Sequence, residues 1–340
     1  MNDSTHRLFP EPEIRMRRLR NEPLVRAMLR ETTYSLSNLV LPIFVHGGTE
    51  HEPVPSMPGV ERVPLNGLAK LVTEVYQLGL PAVALFPVVE PAKKGPGAEE
   101  AVNRDSLICQ AIGLVRATVP ELIVIADLAL DPYTDHGHDG ILSEDGGRVL
   151  NDATVEVLCS MAVVQAEAGA QWVAPSDMMD GRVRAIRERL NRSGFLDTVI
   201  LAYSAKFNSG YYGPFREAVG SGRMGGPYLD KGGYQLDPGN RREALREAML
   251  DAVEGADLLM VKPAGPYLDV IRDLRERTEL PIAAYQVSGE YAQIVAAAER
   301  GWLDRKRVRD EALLGIRRAG ADLILTYFAL EIAREWAGTY

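Results

Sequence analysis

The chain has 340 residues, enough for one large core or two smaller ones. Its composition, 46% hydrophobic and 25% charged, is that of an ordinary soluble globular protein, and the net charge of −9 argues against general nucleic-acid binding. No apolar run approaches the roughly 18 residues of a membrane span; the two cysteines, Cys109 and Cys159, form no disulfide framework, so a cytoplasmic location is expected.

Residues 1–36 read as an extended N-terminal arm. Its opening stretch, MNDSTHRLFPEPEIRMRRLR, is Arg-rich (Arg15, Arg17, Arg18, Arg20) but holds Asp3, Glu11 and Glu13, and it lacks the apolar segment of a targeting peptide. From residue 37 onward short apolar runs alternate with amphipathic stretches of helical period. The runs are LVLPIFV (39–45), AVALFPV (82–88), LIVIADLAL (122–130), QWVAPSD (171–177), VILAYSAK (199–206), DLLMVKP (257–263), PIAAYQV (281–287) and DLILTYFA (322–329). Runs apolar on both faces suit buried parallel strands, and stretches such as LNGLAKLVTEVYQLG, DATVEVLCSMAVVQAEAG and RREALREAMLDAVEG suit the helices between them. Several helices hand over to strands through one recurring turn: Gly169-Ala170, Gly255-Ala256-Asp257 and Gly320-Ala321-Asp322. Eight such units predict a (β/α)8 TIM barrel over 37–340. A doubly wound open sheet is the alternative, but no glycine-rich dinucleotide or P-loop fingerprint follows the first strand.

Barrel chemistry sits at the C-terminal ends of strands. Lys206 and Lys262 are placed there, as are Asp127, Ser176, Asp177, Ser288 and Tyr327. Two long connections, about 131–151 and 207–240, are predicted lids; the second carries Arg216, Arg223 and Lys231. If strands follow chain order, the two lysine-bearing strands are neighbours about 4.8 Å apart. Strict alternation puts Lys206 on one face with Ser204 and Ala202, and Lys262 with Met260 and Leu258. Two inward ammonium groups repel, and burial also disfavours charge, so both effects lower a lysine pKa. A neutral amine attacks a ketone to form a Schiff base. The alternative is that one or both lysines pair with a carboxylate such as Asp127 or Asp177. Lys262 is the predicted nucleophile, because its strand is the more apolar and Pro263 fixes the backbone beside it.

VPSMPGV (54–60), DLALDPYTDHGHDG (127–140), VLNDATVE (149–156), APSDMMDGR (174–182), AYSAKF, YYGPFREAVG (211–220), YQLDP, MVKP, YQVSGEY (285–291) and LTYFA occur in one order along the chain. With them the sequence resembles the porphobilinogen synthase (5-aminolevulinate dehydratase) family over nearly its whole length. The resemblance implies a lyase of tetrapyrrole (haem) biosynthesis that condenses two molecules of 5-aminolevulinate to porphobilinogen with loss of two waters. It also implies a homo-octamer assembled through the N-terminal arm, with neither nucleic acid nor membrane as partner. By the same resemblance, Lys262 of MVKP forms the Schiff base with the first substrate, and Lys206 of YSAKF lies beside the second, with a second Schiff base there left open. Ser288 and Tyr327 would hold one substrate carboxylate, and Arg216 and Lys231 the other. Asp127 and Ser176 would meet the reacting amine end; Tyr212, Phe215 and Gln235 belong to the lid, and Tyr285 to the substrate site.

Zinc-using members of the family carry three cysteines in the loop after the third strand, where this chain has Ala129, Asp131 and Asp139. Zinc sites of that kind need thiolates, whereas carboxylates suit magnesium, so no zinc is expected despite His136 and His138 nearby. Asp131 and Asp139 are candidate magnesium ligands, with a charged lid base as the plain alternative. The resemblance implies an allosteric, in some relatives dispensable, Mg2+ held through Glu247, and leaves room for a monovalent cation. Two rival readings are a lysine Schiff-base aldolase on the same barrel, which needs no second lysine, and a non-catalytic barrel assembled through its basic arm.

Overall fold

The structure is a computed structural model that describes residues 14–221 and 230–338. The start of the predicted arm, and Arg223 in the second predicted lid, lie outside the described residues. The chain divides into two compact units, residues 1–33 and 34–340. In the first, Met16–Leu19 forms a 3-10 turn and Pro23–Met28 a short helix that starts on a proline, as a first helical turn favours. Its apolar residues Ile14, Met16, Leu19, Leu24, Met28 and Leu29 are all exposed.

The second unit holds β1 (Leu39–His46), β2 (Glu52–Pro53), β3 (Glu61–Pro64), β4 (Ala82–Val88), β5 (Ile123–Leu128), β6 (Trp172–Pro175), β7 (Val199–Lys206), β8 (Leu258–Lys262), β9 (Ile282–Gln286) and β10 (Leu323–Thr326). β1 and β4 to β10 coincide with the eight predicted runs and lie side by side in chain order, all parallel. Pairing of β10 with β1 closes the ring, which rules out the open sheet. Every residue of β1 and of β8 is buried, which explains their unbroken apolar runs.

The recurring turn is one device used several times. Gly255 and Gly320 end their helices at φ 104° and 125°, a region glycine tolerates best. The aspartate that follows each, Asp257 or Asp322, accepts the N–H that opens the neighbouring strand, at 2.7 Å from Ile200 and 2.8 Å from Ile282. Gln171 does the same for Val124 at 2.9 Å.

The strands β2 and β3 were not among the predicted runs, because four residues or fewer with an exposed face give no periodic signal. They form a hairpin, antiparallel to each other, and β3 pairs in parallel with the C-terminal half of β1 through Phe44–Arg62, Val45–Val63 and His46–Pro64. β10 pairs with β1 only at Leu39 and Val40. The hairpin therefore takes the edge that β1 leaves free at the mouth of the barrel.

Candidate active site

The last residues of β7 and β8 are Lys206 and Lys262, and they are register partners. Strict alternation fails on β7. Its register against β8 shifts between Ala202 and Ala205, a bulge that gives β7 one residue more than its neighbour over that span. Tyr203 consequently joins Lys206 at the reaction space, three residues away, while the Ser204 hydroxyl turns back to the Ala202 carbonyl at 3.3 Å. The predicted grouping of Lys206 with Ser204 and Ala202 is corrected accordingly. Tyr203 escaped sequence reasoning because a bulge leaves no mark on composition or period.

The Lys262 amine sits among four rings: Tyr285 at 4.6 Å, Tyr203 at 4.9 Å, Phe215 at 5.1 Å and Tyr212 at 5.4 Å from the ring centres. The rings keep water out, and burial together with the charge of Lys206 draws the Lys262 pKa down to about 7. Asp127, whose buried Oδ1 has no hydrogen-bond partner, is pushed the opposite way by burial, although both lysines pull against it. A carboxyl whose pKa is raised and an amine whose pKa is lowered, both to about 7, thus share the floor of the site.

Lys206 behaves differently. Its Nζ donates to Asp139 Oδ2 at 3.1 Å and to the Ser176 carbonyl. Burial opposes its charge, but Asp139, Asp131 and Asp127 overcome that and raise its pKa. The sequence suggested Asp127 or Asp177 as pairing partners; the partner is Asp139, which a loop brings back over the mouth, and Asp177 instead faces Arg182 at 3.5 Å. Asp139 also accepts from Lys231 Nζ at 2.8 Å and Gln235 Nε2 at 3.2 Å, so its buried carboxylate is shared by three donors. Burial opposes its ionisation, but the charges and hydrogen bonds of Lys206 and Lys231 overcome that and hold its pKa well below the carboxylate range. Asp131, buried beside Asp139, is raised by burial and by that neighbour. His136 and His138 are both held below the usual imidazole pKa, first by burial, and His138 Nδ1 meets the Tyr234 hydroxyl at 3.1 Å.

A buried amine of lowered pKa, with an acid beside it and a fixed ammonium next door, is equipped to capture a ketone. Comparison with known proteins agrees. A family model, Delta-aminolevulinic acid dehydratase, matches residues 13–335. The chain belongs to the delta-aminolevulinic acid dehydratase family. It is 53% identical over 325 residues to the chloroplastic delta-aminolevulinic acid dehydratase of Physcomitrium patens, covering 95% of this chain and 74% of that one. It is 51% identical to the Escherichia coli (strain K12) dehydratase, covering 94% and 97%. The solved delta-aminolevulinic acid dehydratase (porphobilinogen synthase) of Toxoplasma gondii ME49, in complex with the reaction product porphobilinogen, superposes with a TM-score of 0.93 at 48% identity, covering 96% and 92%.

Most residues that the sequence suggested for this dehydratase site converge. Asp127, Asp131, Asp139, Ser176, Lys206, Tyr212, Phe215, Arg216, Lys231, Gln235 and Lys262 all line one small cavity of about 30 Å³. Tyr285 reaches the site through its ring over Lys262, whereas Tyr327 lines a separate cavity with Tyr291 and Arg305 and meets the Tyr285 hydroxyl at 2.9 Å. Ser288 opens the helix Ser288–Glu299 and is held by the lid: its hydroxyl accepts from Phe215 N at 3.0 Å and donates to the Tyr211 carbonyl at 3.2 Å. The lid itself is partly helical, with the helix Gly213–Val219 carrying Phe215 and Arg216. Glu247 lies elsewhere, on the helix Arg241–Glu254, in a cavity of about 400 Å³ whose walls include Asp180, Glu243 and the lid residues Asp230, Gly232 and Gln235.

Proposed function

We propose that the dehydratase reaction of this chain runs through the free amine of Lys262. The lone pair of Nζ attacks the ketone of one 5-aminolevulinate, and the carbinolamine so formed loses its hydroxyl as water to leave the imine. Asp127, its pKa raised by burial, would give the departing hydroxyl its proton and take back the proton of the iminium nitrogen. Lys206 stays an ammonium through Asp139 and acts on the second substrate as a charge, while Arg216 and Lys231 receive a carboxylate, the first as a fork and the second as a point charge. Ser288 and Tyr327 receive the other carboxylate. The observation that carries this reading is the contrast in the two lysines' surroundings: four rings around one, a carboxylate on the other.

Among the described residues no three His, Cys, Asp or Glu side chains form a ready metal cage. Asp139 is taken up by its three donors, and we assign it as a counter-ion. Glu247 fits a hydrated Mg2+ better: burial, then Asp251, Asp180 and Glu243, raise its pKa, so a dication there would relieve a crowd of carboxylates. Such an ion, held through Glu247 and its waters, would supply charge beside the lid and no chemical step. The zinc-free, magnesium-type reading rests on this and on a loop without cysteine. The exposed apolar side chains of the arm support assembly of copies through it, up to the family's octamer. No helix among the described residues is long and apolar enough to cross a membrane, in keeping with work in the cytoplasm.

Borohydride added with 5-aminolevulinate should fix a mass adduct on Lys262, and Lys262→Met should lose both adduct and pyrrole formation, a fall on the order of 10⁴-fold or more. An adduct confined to Lys206, or none at all, overturns the assignment. A pyrrole colour assay with magnesium or a chelator tests the metal reading, which fails if neither changes the rate.

A further inference from the structure

The hairpin that pairs with β1 near the barrel mouth carries an arginine, Arg62, whose guanidinium points at the lid. Its Nε donates to the Ala218 carbonyl at 2.7 Å and its Nη2 to the Glu217 carbonyl at 2.8 Å. Its Nη1 is fixed on Glu52 at 3.0 Å across the hairpin. A second cation, Lys94 from the connection after β4, donates to the Gly220 carbonyl at 2.9 Å. Glu217, Ala218 and Gly220 form the C-terminal end of the helix Gly213–Val219, where carbonyls lack helical partners and the helix dipole favours positive charge. Ser56, at the hairpin tip, also meets the Glu217 carboxylate.

We propose that Arg62, assisted by Lys94, is a positioning residue that latches the lid helix across the mouth and so sets the place of Arg216. A helix of seven residues has little stability of its own, so its ends decide where its side chains stand. The N-terminal end is fastened by Ser288 and the C-terminal end by Arg62 and Lys94. Between them lie Arg216, one residue before the latched Glu217, and Phe215, whose ring packs edge-on against Phe86 at 5.3 Å and faces Lys262. The hairpin thus has a task at the site although none of its residues lines the cavity. The inference rests on the reading of Arg216 as a carboxylate ligand, and its test separates the two.

Steady-state kinetics on Arg62→Ala, Arg62→Lys, Arg216→Ala and the double variant R62A/R216A provide that test. Arg62→Ala should raise KM about tenfold or more while kcat changes far less, the size expected when hydrogen bonds from a charged donor are lost. Arg62→Lys, which keeps one donor and the charge, should recover part of the loss. In the Arg216→Ala background the Arg62 change should add little, since a residue that acts through another shows a non-additive cycle. A KM within twofold of wild type in Arg62→Ala, or losses that multiply in the double variant, overturns the latch. An unchanged KM in Arg216→Ala alone overturns the carboxylate reading. Should Arg62→Ala fail to fold, Arg62→Lys and Lys94→Met carry the test: a KM raised about twofold or more in each supports the latch, and wild-type KM in both overturns it.

Discussion

Two lysines close two adjacent strands of one barrel in register, and their surroundings send them to opposite states. Around Lys262 the neighbours are mostly rings, and burial holds back the ionisation of Asp127 beside it, so burial and the charge next door draw the amine's pKa down to about 7. Around Lys206 a loop folds back with Asp139, and the ammonium survives at equal depth. The lesson concerns cause. Strand position puts both amines at the mouth, but the residues that arrive from elsewhere set their protonation. The pKa of Lys262 is lowered first by burial and then by a charged twin whose own proton a carboxylate holds in place.

The contrast can be broken from the carboxylate side. Asp139→Asn leaves the buried Lys206 and the partly buried Lys231 without their shared anion, and a loss of about 3–5 kcal/mol in denaturant unfolding is expected. The pH dependence has a definite sign. A carboxylate held below its unfolded value stabilises the fold fully above about pH 4 and loses that contribution as pH falls toward the depressed value. Wild type should therefore lose stability through that acid range, and the variant should show a flatter profile there; equal profiles would remove Asp139 as the clamp.

Lys206→Met sharpens the contrast from the other side. It removes the repulsion that helps to depress Lys262, so the pH midpoint for borohydride trapping should move upward from near 7. Below that midpoint the amine is protonated and inert; above it trapping is complete. The rate of pyrrole formation should fall about 10²-fold, the size of a positioned proton or charge. A midpoint that stays put would mean that burial alone depresses Lys262. The smallest change comes from Tyr203→Phe, which keeps the ring that covers Lys262 and removes the hydroxyl. That hydroxyl bonds the Asp127 carboxyl, so a several-fold fall in kcat is expected, about 1 kcal/mol for one hydrogen bond, with trapping unaffected.

Much of the site was legible in the sequence for a simple reason. Eight apolar runs state the strands, a barrel does its chemistry at their C-terminal ends, and the polar residues found near those ends include Lys262, Lys206, Asp127 and Ser176. Arg216, Lys231, Tyr212, Phe215 and Gln235 lie on a long connection that no period describes, and they were placed by resemblance; the fold brings them to the same cavity. Tyr203 was missed because a bulge moves it inward, and Arg62 because its strand is four residues long.

The sequence by itself determined the barrel and the depth of its two amines, since burial on both faces of a strand is written in unbroken apolar residues. Only the tertiary structure decided which amine's pKa falls and which rises, and which cation meets the end of the lid helix. Those outcomes depend on contacts across long stretches of chain, Asp139 with Lys206 and Arg62 with Ala218, and electrostatics at a few ångströms is blind to distance along the sequence.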